Sequence, residues 1–159
     1  MPEEKAKDMS KEYELLRKKY NLPALDELDR EFCIGKLEDV PFLLRSVLAK
    51  ITERLDLMFK NISEIVQPSE SNLVNMYEAG VFSDDEKKKI FELMKRMAYY
   101  HKELIIRDVD YNDEAAAAAI NQFYNEWKSM KKDVVNVLER LRDSWKNEAK
   151  SKLESGYFG

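Results

Sequence analysis

Glycine, proline and cysteine are scarce in this chain. Its 159 residues include four glycines, four prolines and one cysteine. Because few residues break helices, long helical stretches are possible. The single cysteine, Cys33, excludes an internal disulfide, and with only one histidine present there is no Cys/His array at zinc spacing. A chain without disulfides is typical of a reducing compartment, so the sequence predicts a cytoplasmic protein.

Long apolar runs are missing too. No window reaches the ~18 consecutive apolar residues that a membrane-spanning helix needs, and the charged N-terminal run lacks the apolar core of a signal peptide. Strict alternation of apolar and polar residues, the pattern of a half-buried β-strand, is also absent, so the sequence does not predict β-strands. The net charge of −4 gives no general attraction to membranes or nucleic acid. We therefore predict no membrane partner, and one domain spanning residues 1–159 with frayed ends at about 1–9 and 155–159.

Charged and apolar residues dominate instead, at 36% and 44% of the chain. A first long helix is predicted at about 40–66, with Asp39 as its cap and Pro41 in its first turn. Its apolar residues are spaced alternately by four and three, which is a heptad pattern; they are Leu44, Leu48, Ile51, Leu55, Met58, Ile62 and Ile65. Phe42, Leu43, Val47 and Phe59 widen this face, so the helix should contact more than one neighbour.

Two further long helices follow. Ser83 and Glu86 form a capping-box pattern that opens a helix at about 84–107. Another is predicted at about 113–153, with Trp127 and Leu141 in a seven-residue repeat. The predicted fold class is therefore all-α, an antiparallel bundle of three long helices plus shorter N-terminal helices.

Shorter helices are predicted at about 10–20 with Ser10 as cap, and at about 23–34 with Gly35 as the C-terminal cap. A third, capped by Ser69 or Ser71 and ending at Gly80, should connect two long helices. At 1.5 Å per residue the last long helix would reach ~60 Å, against ~39 Å for the first. Its C-terminal third, with Leu141, Trp145 and Leu153, should therefore need cover from the N-terminal helices or from a second protomer.

Several residues are candidates for a role in ligand or metal binding. His101 is a possible proton carrier or metal ligand, although Ala98 stands where a di-iron bundle would place a glutamate, and packing is the favoured interpretation. Arg45, inside an apolar run, is a possible clamp for carboxylate or phosphate. Cys33 is interpreted as a buried apolar group. The acids Asp26, Glu27, Asp29 and Glu31 could bind Mg²⁺ but fit a solvated face better.

No catalytic residue, metal ligand or cofactor is assigned from these patterns. The basic residues of 128–152 could meet nucleic acid, but interleaved acids favour an ordinary solvent face. Aromatic residues with polar tips suit either the core or a partner interface. The candidate ligand or interface residues are Arg45, His101, Trp127, Leu141 and Trp145.

Four short strings carry a resemblance to a known group of proteins: LDELDREF at 25–32, FLLR at 42–45, IFEL at 90–93 and EWK at 126–128. With them the chain resembles a family of small uncharacterised helical proteins found in archaea, over most of residues 12–146. The resemblance implies an all-helical fold and an archaeal source. It brings no activity, cofactor or catalytic residue.

The leading hypothesis is a non-enzymatic interaction or assembly module that forms a homo-oligomer, most simply a dimer, or binds a protein partner. Its motivation is the excess length of the last helix and the Trp145 end. The alternative is an all-helical enzyme or binding protein for a phosphorylated or nucleotide ligand, using Arg45 and carboxylates with Mg²⁺. A third hypothesis is weak nucleic-acid binding through residues 128–152.

Overall fold

The computed structural model describes residues 2–35, 37 and 41–147, and the side chains of these from 9 to 146. Within these ranges the chain forms six helices and no strand. They are α1 (Pro2–Tyr20), α2 (Leu25–Phe32), α3 (Leu43–Val66), α4 (Leu73–Ala79), α5 (Asp84–Val109) and α6 (Asp113–Asn147). The all-α prediction is confirmed, including the three long helices.

The chain divides into two compact units. Unit 1 comprises Met1–Leu57 and Met97–Lys128, and unit 2 comprises Met58–Arg96 and Ser129–Gly159. Both units are built from separate stretches of chain, because α3, α5 and α6 each run through both. The single domain predicted from length stays a prediction.

Long-range ion pairs within each unit give the direction of the long helices. In unit 1, the start of α3 meets the end of α5 where Arg45 Nε lies 2.8 Å from Asp108 Oδ1. In unit 2, Arg96 of α5 lies 3.4 Å from Asp133 of α6, and Glu86 binds Arg140 further along. Early residues of one helix therefore pair with late residues of the next, as in an antiparallel bundle.

The predicted heptad positions form the cores of the two units. Leu44, Leu48, Ile51 and Leu55 are at most 1% exposed in unit 1, and Ile62 and Ile65 are fully buried in unit 2. Met58 is only half-buried. The remaining core residues include, in unit 1, Leu28, Phe32, Met97, Leu104, Ile120, Phe123 and Trp127, and in unit 2, Phe82, Ile90, Leu93, Met130, Val134 and Leu141.

Several helix boundaries differ from those predicted. Helix α1 begins at Pro2 rather than Ser10, because the preceding residues contain good helix formers and proline suits the first helical position. Helix α3 begins at Leu43, so Pro41 lies before the helix and the carbonyl of Phe42 accepts its first hydrogen bonds. Helix α4 is capped by Asn72, whose side chain accepts from the N–H groups of Val74 and Asn75.

Helix α2 also ends earlier than predicted. Cys33 takes the left-handed conformation (φ 53°) and its N–H donates to Asp29 O, so it occupies the cap position predicted for Gly35. Gly35 is left-handed as well (φ 65°), and its N–H donates to the Asp29 carboxylate at 2.6 Å. The predicted cap Asp39, residues 148–153 of the predicted last helix and the predicted frayed end at 155–159 lie outside the described residues.

Candidate interaction surface

Trp145, near the end of α6, packs against α4 within unit 2. Its ring centroid lies 4.3 Å from that of Tyr77, and its indole N–H donates to Glu78 Oε1 at 2.9 Å. The Tyr77 hydroxyl in turn donates to the backbone oxygen of Ser144 at 3.0 Å. Both aromatic side chains therefore have their polar tips bonded.

This contact changes the expectation for the end of α6. The sequence suggested cover from the N-terminal helices or from a second protomer, whereas the connecting helix α4 of the same chain provides it. The cover is incomplete, because Trp145 stays 39% exposed while Leu141, one turn earlier, is 6% exposed. Leu141 is therefore a core residue, and Trp145 is available to a partner.

Helix α4 carries an unusual share of exposed apolar side chains. Leu73, Val74 and Met76 are 75%, 51% and 41% exposed, in a helix of only seven residues. Val74 precedes Tyr77 and Glu78 by three and four positions, so it lies on the side of α4 that meets Trp145. Val74 therefore adds aliphatic surface next to the exposed part of the Trp145 ring.

The same surface continues along α6. Val135 and Leu138 are 42% and 37% exposed, and their spacing to Trp145 places all three on one side of the helix. Exposed basic side chains accompany this stripe, at Lys131, Arg142 and Lys146. We call the whole surface the α4–α6 patch, consisting of Leu73, Val74, Met76, Tyr77, Val135, Leu138 and Trp145.

Trp127, another candidate, belongs to the core of unit 1. It is 4% exposed, and its ring centroid lies 5.5 Å from that of Phe32 and 5.9 Å from that of Phe123. Its indole N–H donates to Glu31 Oε2 at 2.8 Å. Trp127 therefore joins α2 to α6 and offers no surface to a partner.

Arg45 is held at the start of α3. Besides its ion pair with Asp108, the guanidinium lies 5.9 Å from the centroid of the Tyr111 ring, and Phe42 packs on that ring edge-to-face. Burial raises the pKa of Tyr111 well above its usual range, as does the hydrogen bond from its hydroxyl to Asp113. In this arrangement Arg45 fastens α3 to α5, and its side chain is still 46% exposed.

His101 lines an open groove of about 500 Å³ between α3 and α5 in unit 1. Its Nε2 lies 3.8 Å from Asp56 Oδ1, which is too long for a hydrogen bond. Thr52, Glu53 and Asp108 also line the groove, and the Thr52 hydroxyl already donates to Leu48 O. Over the described part of the chain, no three His, Cys, Asp or Glu side chains are grouped closely enough to hold a metal ion.

Three of the four acidic residues of α2 have structural partners. Glu27 accepts the Ala24 N–H, Asp29 accepts the Gly35 N–H, and Glu31 accepts the indole N–H of Trp127. Cys33, predicted to be buried, is exposed, because the left-handed turn at the end of α2 directs it away from the core. Glu27, Asp29 and Glu31 therefore take part in hydrogen bonds within the fold.

Among the described residues, none of the helices combines the length and the hydrophobicity that a membrane span requires. Comparison of the chain with protein-family models, with curated proteins and with solved structures finds no match. The resemblance to archaeal helical proteins therefore stays a prediction, and function has to be inferred from the surfaces described above.

Proposed function

We propose that this protein is a non-enzymatic helical interaction module that self-associates through the α4–α6 patch. The observation that carries the proposal is the group of exposed apolar side chains on α4 beside the partly exposed Trp145. Contiguous apolar surface of this kind commonly marks an interaction site, and Trp, Tyr and Met are enriched at interfaces.

The expected affinity is modest. Leu73, Val74, Met76 and Leu138 would each remove roughly half a side chain from water, worth about 1 kcal/mol apiece. A two-fold interface uses each side chain twice, which gives on the order of 8 kcal/mol. Lost translational and rotational freedom costs about 4 kcal/mol at the low end of its range, which leaves about 4 kcal/mol and a dissociation constant on the order of 1 mM.

Sedimentation velocity from about 10 µM to 1 mM tests the proposal. Wild type should shift from monomer to dimer over this range, and Leu73→Glu should stay monomeric because a carboxylate would be buried in the interface. Val109→Glu is the matched control, since Val109 is 77% exposed, like Leu73 at 75%, and lies in unit 1 outside the patch. Circular dichroism should show equal helicity in all three.

A wild-type monomer at every concentration would refute self-association. So would an equal loss of dimer in Leu73→Glu and Val109→Glu, because that result would not depend on the patch. A truncation after Asp143 would be a blunter test, because it also removes Ser144 and Trp145, to which Tyr77 and Glu78 are bonded.

A further inference from the structure

Charge is unevenly distributed over the two halves of the α4–α6 patch. Residues 67–83, which comprise α4 and its flanking loops, contain two acidic residues, Glu70 and Glu78, and no lysine or arginine. Residues 129–146 of α6 contain five basic and three acidic residues. The patch therefore combines an apolar and acidic half on α4 with an apolar and basic half on α6.

Individual side chains at the edge of the patch show the same division. Glu70 is exposed just before α4, and Glu78, which accepts the indole N–H of Trp145, lies near the end of that helix. On the α6 side, Lys131 and Lys146 are exposed next to the apolar stripe. Arg140 belongs to the fold rather than to this edge, because it binds Glu86 and the backbone oxygen of Val81.

This division distinguishes two ways of pairing two copies. If α6 packed on α6 of the second copy, the basic side chains along both stripes would face one another and repel. If α4 packed on α6 of the second copy, acidic residues would face basic ones around a shared apolar centre. A two-fold axis creates the second contact twice, because each copy supplies one α4 and one α6.

We infer that two copies form a two-fold dimer in which the acidic α4 of each copy packs on the basic α6 stripe of the other. This inference rests on the proposed self-association and adds its geometry. Leu73, Val74 and Met76 of one copy lie against Val135, Leu138 and Trp145 of the other. Glu70 and Glu78 lie among the partner's basic side chains on α6.

A charge-swap experiment tests this geometry. The first variant, Glu70→Lys/Ser71→Lys, makes the α4 half basic, and the second, Lys131→Glu/Lys146→Glu, makes the α6 half acidic. Each variant alone should dimerise about tenfold more weakly than wild type, because both of its α4–α6 contacts oppose like charges. An equimolar mixture should recover a heterodimer of near wild-type affinity, since both contacts again join opposite charges.

Two controls separate this geometry from general charge effects. Lys88→Glu/Lys89→Glu changes the net charge as much as the second variant does, but on α5 outside the patch, and should leave the dimer unchanged. Raising the salt concentration from about 0.05 to 0.5 M should weaken the wild-type dimer and lessen the effect of both swaps. Circular dichroism again verifies that every variant is folded.

Several results would overturn the inference. If Lys131→Glu/Lys146→Glu dimerises more strongly than wild type, or if the mixture does not recover the dimer, the two copies pair in another way. The proposed function would still stand in that case, provided that Leu73→Glu weakens the wild-type dimer. A wild-type monomer would remove both. A chain that dimerises only after residues 148–159 are deleted would assign the patch to that segment instead.

Discussion

Phe123 provides the most direct quantitative test of the fold. It is fully buried on α6 in unit 1, and its ring centroid lies 5.4 Å from that of Phe32, 5.6 Å from Tyr100 and 5.9 Å from Trp127. Removing a buried phenylalanine ring lowers the free energy of unfolding by about 3–5 kcal/mol. Three aromatic pairs worth ~0.5–1.5 kcal/mol each are lost as well, so Phe123→Ala should fall in the upper half of that range.

Urea unfolding followed by tryptophan fluorescence measures the effect. In a Trp145→Phe background, Trp127 is the only tryptophan, and its contact with Phe123 makes it a reporter of unit 1. Phe123→Leu retains most of the volume and should lower the free energy by only about 1–2 kcal/mol. Ile106→Ala is the control, because Ile106 also lies in unit 1, is 51% exposed and should contribute less than about 1.5 kcal/mol.

The reasoning fails if Phe123→Ala lowers the free energy of unfolding by less than about 2 kcal/mol at an unchanged denaturant slope. It also fails if Phe123→Ala and Ile106→Ala are equivalent. Either result would mean that the Phe123 ring is not enclosed by the aromatic cluster.

Three smaller perturbations test local features. Asn72→Ala should lower the free energy of unfolding by about 1 kcal/mol in urea melts because it removes the cap of α4, whereas Ser71→Ala should have little effect. The hydrogen bond from Arg140, with a further one from the Ser83 backbone, lowers the pKa of Glu86 from 4.5 to about 2, so its carboxylate stabilises the folded state above pH 4.5. That contribution is lost as the pH falls towards 2. In thermal melts, wild type should therefore be more stable than Glu86→Gln at pH 7 but not near pH 2. A stability difference that stays constant over this pH range would contradict the prediction. Cys33→Gly should raise the melting temperature, by the equivalent of about 0.5–1 kcal/mol, because glycine adopts φ 53° without strain.

The sequence predicts those parts of the fold that local physics determines. The capping box is present, with Ser83 N–H donating to Glu86 at 2.7 Å and Glu86 N–H donating to the serine hydroxyl. Helix α3 ends at Val66 before Pro68, as proline geometry requires. Both signals lie within a few residues of the feature they specify, so one sequence is enough to recognise them.

Contacts between distant residues could not be predicted in this way. Trp145 meets Glu78 across 67 positions, Trp127 meets Glu31 across 96, and Arg45 meets Asp108 across 63. Heptad spacing shows that a residue faces a neighbour but not which neighbour it faces. One signal in the sequence does point to the α4 surface: three large apolar residues of α4 lie in a stretch, 61–86, that lacks lysine and arginine.

Arg45 and Trp127, two of the candidate ligand residues, already have partners in the fold, whereas the exposed apolar side chains of α4 are in contact with solvent. Arg45 is paired with Asp108 and Trp127 is bonded to Glu31, so a ligand at either side chain must replace an existing partner. For the half-exposed Arg45 pair the replacement is easy, since such pairs contribute only about 0–1 kcal/mol. Stabilisation by a nucleotide with Mg²⁺ at millimolar concentration, abolished by Arg45→Ala, would therefore favour the phosphate-binding alternative. The exposed apolar side chains of α4 have a different requirement, because only another apolar surface removes them from water, and for that reason we propose association rather than catalysis.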